Sequence, residues 1–550
     1  MACEELLDKP GIHAPVDGAV GERVMKLDQE RPAGQRPLTT ECQSRDPGLV
    51  LLTIGLLCLG SPNRWLHWFP GALVGLALLF YLCERRPGWR RVRFAYGLWF
   101  WVCLYAFWVD PFSVKVLSAW EILGGLVVAP LIPLFFTTAT LLSLSLSRPL
   151  PTWVRPVGMA TVWTGLDGLL GLLWSPIPFH WGSLLFDWPL GIQIADVTGI
   201  WGVTFFAVFV NGLLWQVAVQ GWQLWKNPLS ERSSLWRTLA LGLGLSGAVL
   251  AYGGWRLAHF DNLAASAEDP QFRVGAVQQV AWLEADRSWE YRSERYRELH
   301  QLSGQAVAEG AELVIWPEGA LRARLLNTGL EPYVLDPMRG ILPPTGALIT
   351  GTTEPDPRTV NLPDDQQQFF NTALLFNAEG HLQDSFGKQW IFPYFESARY
   401  VPSPDGYRPL EGGAVFGRLG VMICLESVLP APSRTLTRNG AESLIVISDD
   451  SWFGNSHWPM LHGKLSVFRA VENRRSVVFV NNTGGNLVVD PSGRVQQVGP
   501  IFQRGVITGN VKRRSEQTFY TRTGDWLAWL TLGLALGLCG RRWGSRRRQG

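Results

Sequence analysis

The order of apolar and polar positions divides this chain into two kinds of territory. Apolar runs lie near residues 49–60, 65–83, 94–109, 119–146, 155–174, 199–221 and 236–255, and another near 525–540. A helix that crosses a bilayer needs about 20 mainly apolar residues. Most of these runs meet that need; those at 49–60, 94–109 and 525–540 are short and must borrow flanking residues, tilt little or sit in thinned bilayer. Residues 257–524 are mostly hydrophilic and carry a different pattern. Short β-branched runs at Arg273–Gln278, Glu312–Trp316, Ala347–Thr352, Thr372–Phe376, Gly420–Cys424, Ser443–Ser448 and Ser476–Val480 are bounded by Gly, Pro and Asn. Helical stretches fall between some of them, near 284–309 and 459–474. Strands alternating with helices predict an α/β domain with a layered sheet.

Five regions follow: a disordered tail over 1–48, a membrane domain of about seven helices over 49–256, an α/β domain over 257–524, a C-terminal spanning helix over 525–540 and a basic tail over 541–550. The tail at 1–48 is polar, rich in Pro and Gly and without periodicity. No basic start leads into an apolar core with a small-residue cleavage site, so it does not read as a signal peptide.

Charge placement tests the count of eight spans. The loop after the second run holds Arg85, Arg86, Arg90, Arg91 and Arg93; later ones hold Arg148 and Arg155, then Lys226 and Arg232. The C-terminus holds Arg541, Arg542, Arg546, Arg547 and Arg548, whereas residues 175–198 contain no Lys or Arg. Under the positive-inside rule this alternation puts both termini in the cytoplasm and 257–524 outside. Asp167 and Glu121 lie within apolar runs, where a charge is costly; each is read as sitting near a helix end or pairing inside the bundle, with a functional role as the alternative.

Composition adds two exclusions. The net charge of +3 comes from basic residues clustered between apolar runs rather than from one basic face, which argues against a nucleic-acid partner. Seven cysteines occur, without a C-x-x-C pair or a metal-ligand spacing. Only Cys424 lies within 257–524, so that stretch holds no internal disulfide. His457 and His462 stand five apart without a matching acid or cysteine cluster and read as structural, not as metal ligands.

Candidate chemistry gathers just after strand ends, where open α/β sheets place their ligands. Glu318 follows Val314-Ile315-Trp316-Pro317, Cys424 follows Val421-Met422-Ile423, and Asp449-Asp450 follow Val446-Ile447-Ser448. Read alone, Cys424 fits a small buried hydrophobe, Glu318 a loop carboxylate and Lys388 a surface amine. Together, Trp316-Pro317-Glu318, Ser385-Phe386-Gly387-Lys388, Ile423-Cys424-Leu425-Glu426 and Ser448-Asp449-Asp450-Ser451-Trp452-Phe453-Gly454 resemble the Glu–Lys–Cys pattern of the nitrilase, or carbon–nitrogen hydrolase, superfamily. Asn371-Thr372 and Phe468-Arg469-Ala470-Val471-Glu472-Asn473 extend the likeness, and the flanking helices, best at Thr198-Gly199 through Asn211, narrow it to bacterial apolipoprotein N-acyltransferases.

The resemblance implies an αββα sandwich facing outward from a multi-pass helical membrane domain in the bacterial inner membrane. It implies Cys424 as nucleophile, Glu318 as general base and Lys388 as oxyanion stabiliser that also favours the thiolate. Glu396, Glu426 and Asn371 are implied as supports, with plain structural salt bridges the alternative for the two glutamates. Trp289, Trp452 and Phe453 are candidates to line the acyl entrance, with aromatic core packing the alternative. The implied reaction moves an acyl group from a phospholipid donor to the N-terminal diacylglyceryl-cysteine of an apolipoprotein, by a monomer without metal or organic cofactor. The rival readings are a membrane-tethered amidase or nitrilase acting on a soluble C–N substrate and a non-catalytic lipoprotein-binding protein. Two departures stand near the site: Leu425 where the family has an aromatic residue, and an altered loop over 393–402.

Overall fold

The computed structural model describes residues 47–63, 66–108, 130–173, 180–228, 232–266, 270–281, 288–321, 324–393, 396–454 and 456–547. The tail over 1–46 and Glu121 lie outside the described residues.

Among the described residues, seven helices longer than ten residues come first: α1 (Pro47–Gly60), α2 (Pro70–Glu84), α3 (Gly88–Trp108), α4 (Leu131–Ser147), α5 (Arg155–Leu173), α6 (Ile200–Lys226) and α7 (Arg232–Ser266). Each coincides with a predicted apolar run. Among the described residues, two helical stretches, Ile200–Lys226 and Arg232–Leu263, are long and apolar enough to cross a membrane. Buried polar groups bind the helices to each other. Asn211 of α6 donates from Nδ2 to the Ala72 carbonyl of α2 at 2.8 Å and accepts from the Ala77 amide at 3.0 Å. Asp167 of α5 meets His180 Nδ1 at 3.1 Å and accepts from Thr204 Oγ1 at 3.3 Å. Asp167 therefore has partners inside the bundle, as the structural reading expects.

The second unit is two six-stranded sheets packed face to face. The first runs through β1 (Gln271–Gln278), β2 (Leu313–Ile315), β3 (Ala347–Pro355), β4 (Phe369–Asn377) and β5 (Leu382–Gly387). Outside it lie α8 (Trp289–Ala308) and α9 (Glu331–Ile341). The second sheet holds β6 (Leu410–Glu411), β7 (Arg418–Ile423), β8 (Ser443–Ser448), β9 (Val477–Asn481), β10 (Leu487–Val489) and β11 (Val495–Val498), and its outer layer is α10 (Pro430–Arg438) and α11 (Trp458–Asn473). Last come β12 (Gly505–Lys512), which returns antiparallel to β1 in the first sheet, and α12 (Trp526–Arg547). This is a nitrilase-like αββα sandwich.

Strand alternation explains the layers. Along β8, Ile445 and Ile447 point into the space between the sheets, where they meet Val421, Ile423, Val478 and Val480. Leu444 and Val446 point the other way, into a cluster shared with α11 and the membrane helices. Both faces of the sheet are thus covered, which is why its strands read as unbroken apolar runs.

That shared cluster joins the two units, and polar contacts fix the join. Glu472 of α11 accepts the Ile200 amide at the start of α6 at 3.0 Å, where the helix dipole favours a carboxylate. Arg474 binds Asp196 Oδ2 at 2.7 Å, and Asp196 also takes the Tyr252 hydroxyl of α7 at 2.7 Å. Gly199, at φ +65°, lies against the Tyr520 ring; a Cβ there would come within 2.4 Å of it.

Two predicted boundaries move. Helix α7 continues to Ser266 rather than ending at 256, because its polar last turns still have partners: Asp261 pairs with Arg494. Helix α12 runs through the segment read as a basic tail, and Arg542 donates to the Ser145 carbonyl of α4 at 2.5 Å.

Candidate active site

One end of the sandwich collects the carboxyl ends of β2, β5, β7 and β8. Glu318 leaves β2 through Trp316 and Pro317, and its two oxygens are used separately. Oε1 accepts from Asn371 Nδ2 of β4 at 2.6 Å, and Oε2 accepts the Asp449 amide after β8 at 2.9 Å. Lys388 follows β5, its amide bonded to the Asn371 carbonyl at 2.8 Å. The side chain is buried; Nζ donates to Glu396 Oε1 and Oε2 at 2.7 and 2.9 Å and lies 3.9 Å from Glu318 Oε1. Glu396 is oriented in turn by the Phe392 amide at 2.8 Å.

Cys424 ends β7 at a sharp elbow. Its φ is +56°, a left-handed conformation that costs an ordinary residue roughly 1–3 kcal/mol and persists where its surroundings impose it. A single turn of 3₁₀ helix, Cys424–Ser427, follows. Glu426 locks this turn: Oε2 accepts the Ile423 amide at 2.8 Å, and Oε1 accepts the Gln389 and Trp390 amides at 2.9 Å and the Tyr407 hydroxyl at 3.0 Å. One buried carboxylate therefore ties the cysteine elbow of the second sheet to the residues just past Lys388 in the first. That is a more specific role than the salt bridge weighed for Glu426.

The electrostatics divide the roles. Burial pushes the Cys424 thiol well above its ordinary range and the Glu318 carboxylate adds to this, while Lys388 only partly opposes it. Lys388 favours the thiolate, as the resemblance implies, but burial, with the carboxylates adding to it, outweighs that pull and the resting sulfur is a thiol. Burial also raises Glu318, to about 7, against the pull of Lys388. Burial works against the Lys388 ammonium, but the Glu318 and Glu396 carboxylates and the hydrogen bonds to Glu396 favour it, so the lysine stays charged. A carboxylate poised near neutrality, a buried cation and a neutral thiol make a set suited to acyl transfer.

The first prediction concerns pH. As the base that the resemblance implies, Glu318 would have to be ionised to take the thiol proton, and a carboxylate raised to about 7 is protonated below that pH. The rate of Cys424 acylation is expected to climb about tenfold per pH unit between 5 and 6 and to flatten above 7.5. A rate constant across pH 5–8 would refute this assignment of the base.

The other candidates are placed as follows. Asn371 and Glu396 contact Glu318 and Lys388 directly. Phe453 stacks on Trp458 with ring centroids 5.7 Å apart. The Trp452 side chain, Tyr394 and Phe395 lie outside the described residues. Trp289 is an exposed ring set edge-on to Tyr333 at 4.9 Å and to Tyr296 at 6.5 Å. Leu425 packs against the cluster shared with the membrane helices. His462 bonds Asp450 and Ser427, and among the described residues no group of three His, Cys, Asp or Glu side chains is arranged to hold a metal.

The chain is similar to known proteins along most of its length. Residues 55–213 match the family described as apolipoprotein N-acyltransferase N-terminal domain, and 273–520 match carbon-nitrogen hydrolase. The apolipoprotein N-acyltransferase of Geobacter metallireducens is 26% identical over 522 residues, covering 88% of this chain and 93% of its own. That of Azotobacter vinelandii is 27% identical over 545 residues, covering 92% and 96%. A third, from Chlorobaculum tepidum, is 26% identical over 543 residues, covering 89% and 95%.

The chain belongs to the apolipoprotein N-acyltransferase family.

Membership accounts for both halves at once. The match to the family's N-terminal domain covers α2 to α5 and part of α1 and α6, and the carbon–nitrogen hydrolase match covers the strands of the sandwich from the third residue of β1 onward. As an apolipoprotein N-acyltransferase family member, the chain is an acyltransferase built on a nitrilase-like domain. Leu425, the departure beside the cysteine, turns toward the membrane-side apolar cluster.

Proposed function

We propose that this chain transfers a fatty acyl group from a membrane phospholipid, through a thioester on Cys424, to the α-amine of an apolipoprotein's N-terminal diacylglyceryl-cysteine. The observation that carries this reading is the continuity of one apolar core from the helical bundle to the layer behind the Cys424 elbow. An amidase for a soluble substrate has no use for such a bundle; a donor and an acceptor that are both lipid-anchored need it. A small apolar cavity lined by Trp99, Phe136, Trp181, Leu184, Trp458 and Leu461 lies between the helices and α11.

The steps balance within the site. Glu318 takes the Cys424 proton, the sulfur attacks the ester carbonyl, and the Lys388 ammonium stabilises the oxyanion. The C–O bond breaks, and the departing lysophospholipid oxygen recovers the proton from Glu318. The acceptor amine then attacks the thioester while Glu318 takes its proton. The C–S bond breaks, and the sulfur leaves as a thiol carrying that proton. No cofactor enters, and the two half-reactions are ping-pong.

The reading includes eight spanning helices, the sandwich on the outer face of the bacterial inner membrane and both termini in the cytoplasm. Contacts among the Arg-bearing loops support it. Arg148 pairs with Glu84 at 3.0 Å, Arg542 reaches Ser145, and Thr152 meets Ser234 at 2.5 Å, so these loops share one end of the bundle. At the other end, Asp187 meets His67 and Lys464 of α11 at 3.1 and 2.8 Å.

The test is transfer itself. The full chain in phospholipid vesicles, given a peptide with an N-terminal diacylglyceryl-cysteine, is expected to yield an N-acylated peptide and one lysophospholipid per turnover. Hydrolysis of small amides without peptide acylation would overturn the reading.

A further inference from the structure

Behind the Cys424 elbow lies a second chain of polar groups that the acyl-transfer steps do not use. Ser427 Oγ is 2.9 Å from the Cys424 carbonyl oxygen and 3.0 Å from His462 Nε2. His462 Nδ1 faces both oxygens of Asp450, at 3.1 and 2.9 Å. Asp450 is fixed by Asn481 Nδ2 at 2.7 Å and the Ser448 hydroxyl at 3.0 Å. Ser427, His462, Asp450 and Asn481 are all buried.

Each link has a structural cause. Asp450 follows β8 and Asn481 ends β9, and Ser448 pairs with Asn481 across those strands, so the carboxylate sits on the edge of the sheet. His462 is in the second turn of α11, held against β9 by the Phe479 ring at 4.8 Å. Gly463 lets the helix come close: a Cβ there would lie 2.4 Å from the Gly485 carbonyl oxygen. A hydroxyl has one proton, so with Ser427 donating to the Cys424 carbonyl its oxygen is the side that meets His462 Nε2, while Nδ1 faces the Asp450 carboxylate.

The order Asp–His–Ser is that of a hydrolase triad, but this serine is no nucleophile. It is sealed from solvent, and its hydroxyl lies within hydrogen-bond reach of the carbonyl of the strained cysteine. A left-handed non-glycine residue holds its conformation only while its neighbours dictate it. Glu426 dictates the elbow from the amide side, through Ile423. On the carbonyl side, the bond recorded for Cys424 comes from Ser427.

We propose that Asp450, His462 and Ser427 are positioning residues: a buried hydrogen-bond chain that fixes the Cys424 carbonyl and so aims the thiol at the ester. The proposal rests on the reading of Cys424 as the acyl-accepting nucleophile. It assigns the chain to the approach of sulfur to carbonyl, not to lipid binding. Losing it is expected to slow acylation and leave the apparent affinity for phospholipid unchanged.

The test uses the full chain and phosphatidylethanolamine with a labelled acyl chain, as wild type, Ser427→Ala, His462→Gln and the double variant. Thioester formation is followed at several lipid concentrations. Ser427→Ala is expected to lower the limiting rate on the order of tenfold, with KM within twofold and a wild-type melting temperature. The double variant is expected to be no more than about threefold slower than Ser427→Ala, because both changes cut one chain. A Ser427→Ala rate within twofold of wild type, a loss confined to KM, or single losses that multiply in the double variant would each overturn the proposal. Should His462→Gln fail to fold, the rate and KM of Ser427→Ala still decide. Absence of a thioester in the wild type would instead overturn the underlying reading of Cys424.

Discussion

Replacing Glu318 by Gln is expected to lower the rate of Cys424 acylation by about 10²- to 10⁴-fold, the usual contribution of a positioned general base. The loss should be near the upper end here, for two reasons in the structure. Burial and nearby carboxylates hold the thiol well above its ordinary range, so little thiolate exists without a base. Glu318 also receives a donor on each oxygen, from Asn371 Nδ2 at 2.6 Å and the Asp449 amide at 2.9 Å. A carboxamide offers one oxygen and one NH₂ group, so one of those donors would face another donor. The remaining activity should lose its rise between pH 5 and 7. An acylation rate for Glu318→Gln within threefold of wild type at pH 7.5 would contradict the assignment.

Lys388→Met is expected to cost about 10²- to 10³-fold in the same step, the scale measured when one oxyanion donor is removed. The side chain is buried, held by both oxygens of Glu396 and charged at any working pH, so the ammonium is in place before the oxyanion forms. Its interaction with substrate strengthens only in the transition state, so the loss should fall on the limiting rate and spare KM. Lys388→Arg is not expected to restore the rate. A planar guanidinium cannot occupy the place of a compact ammonium between two carboxylates. Steady-state thioester formation with labelled phospholipid separates the two parameters; a pure KM effect would make Lys388 a binding residue instead.

These groups were legible because each follows a strand whose residues are buried. Val314-Ile315, Phe386-Gly387 and Met422-Ile423 pack inside, and the polar residue after them can only be at the sheet's edge. The strands at the sheet margins were not legible. Strand β11 reads Val-Gln-Gln-Val and is largely exposed, and β5 reads Leu-Gln-Asp-Ser-Phe-Gly with its first two residues exposed. Such segments are strands because a neighbour offers its amides, not because their own pattern is apolar. The extent of α7 was hidden for a related reason: apolar windows end at 255, but Asp261 still finds Arg494.

The supports of the site depended on long-range pairings that spacing alone does not reveal. Glu426 was visible as a neighbour of Cys424, yet its bonds to Gln389 and Trp390 cross between sheets. His462 read as structural, and its partners Asp450 and Ser427 come from two different strand ends. The local signal was present: Ser427 stands three residues after the cysteine, the spacing at which a hydroxyl reaches back to a carbonyl. Asp167 likewise needed the fold to supply His180 and Thr204.

The measurement that bears most directly on the whole account is the acyl-enzyme. The full chain incubated with a phospholipid carrying a labelled acyl chain, without acceptor, should gain one label per molecule. That label should map to the peptide containing Cys424, be released by hydroxylamine and vanish in Cys424→Ala. A wild-type protein that acylates an acceptor peptide while never carrying label on Cys424 would contradict it.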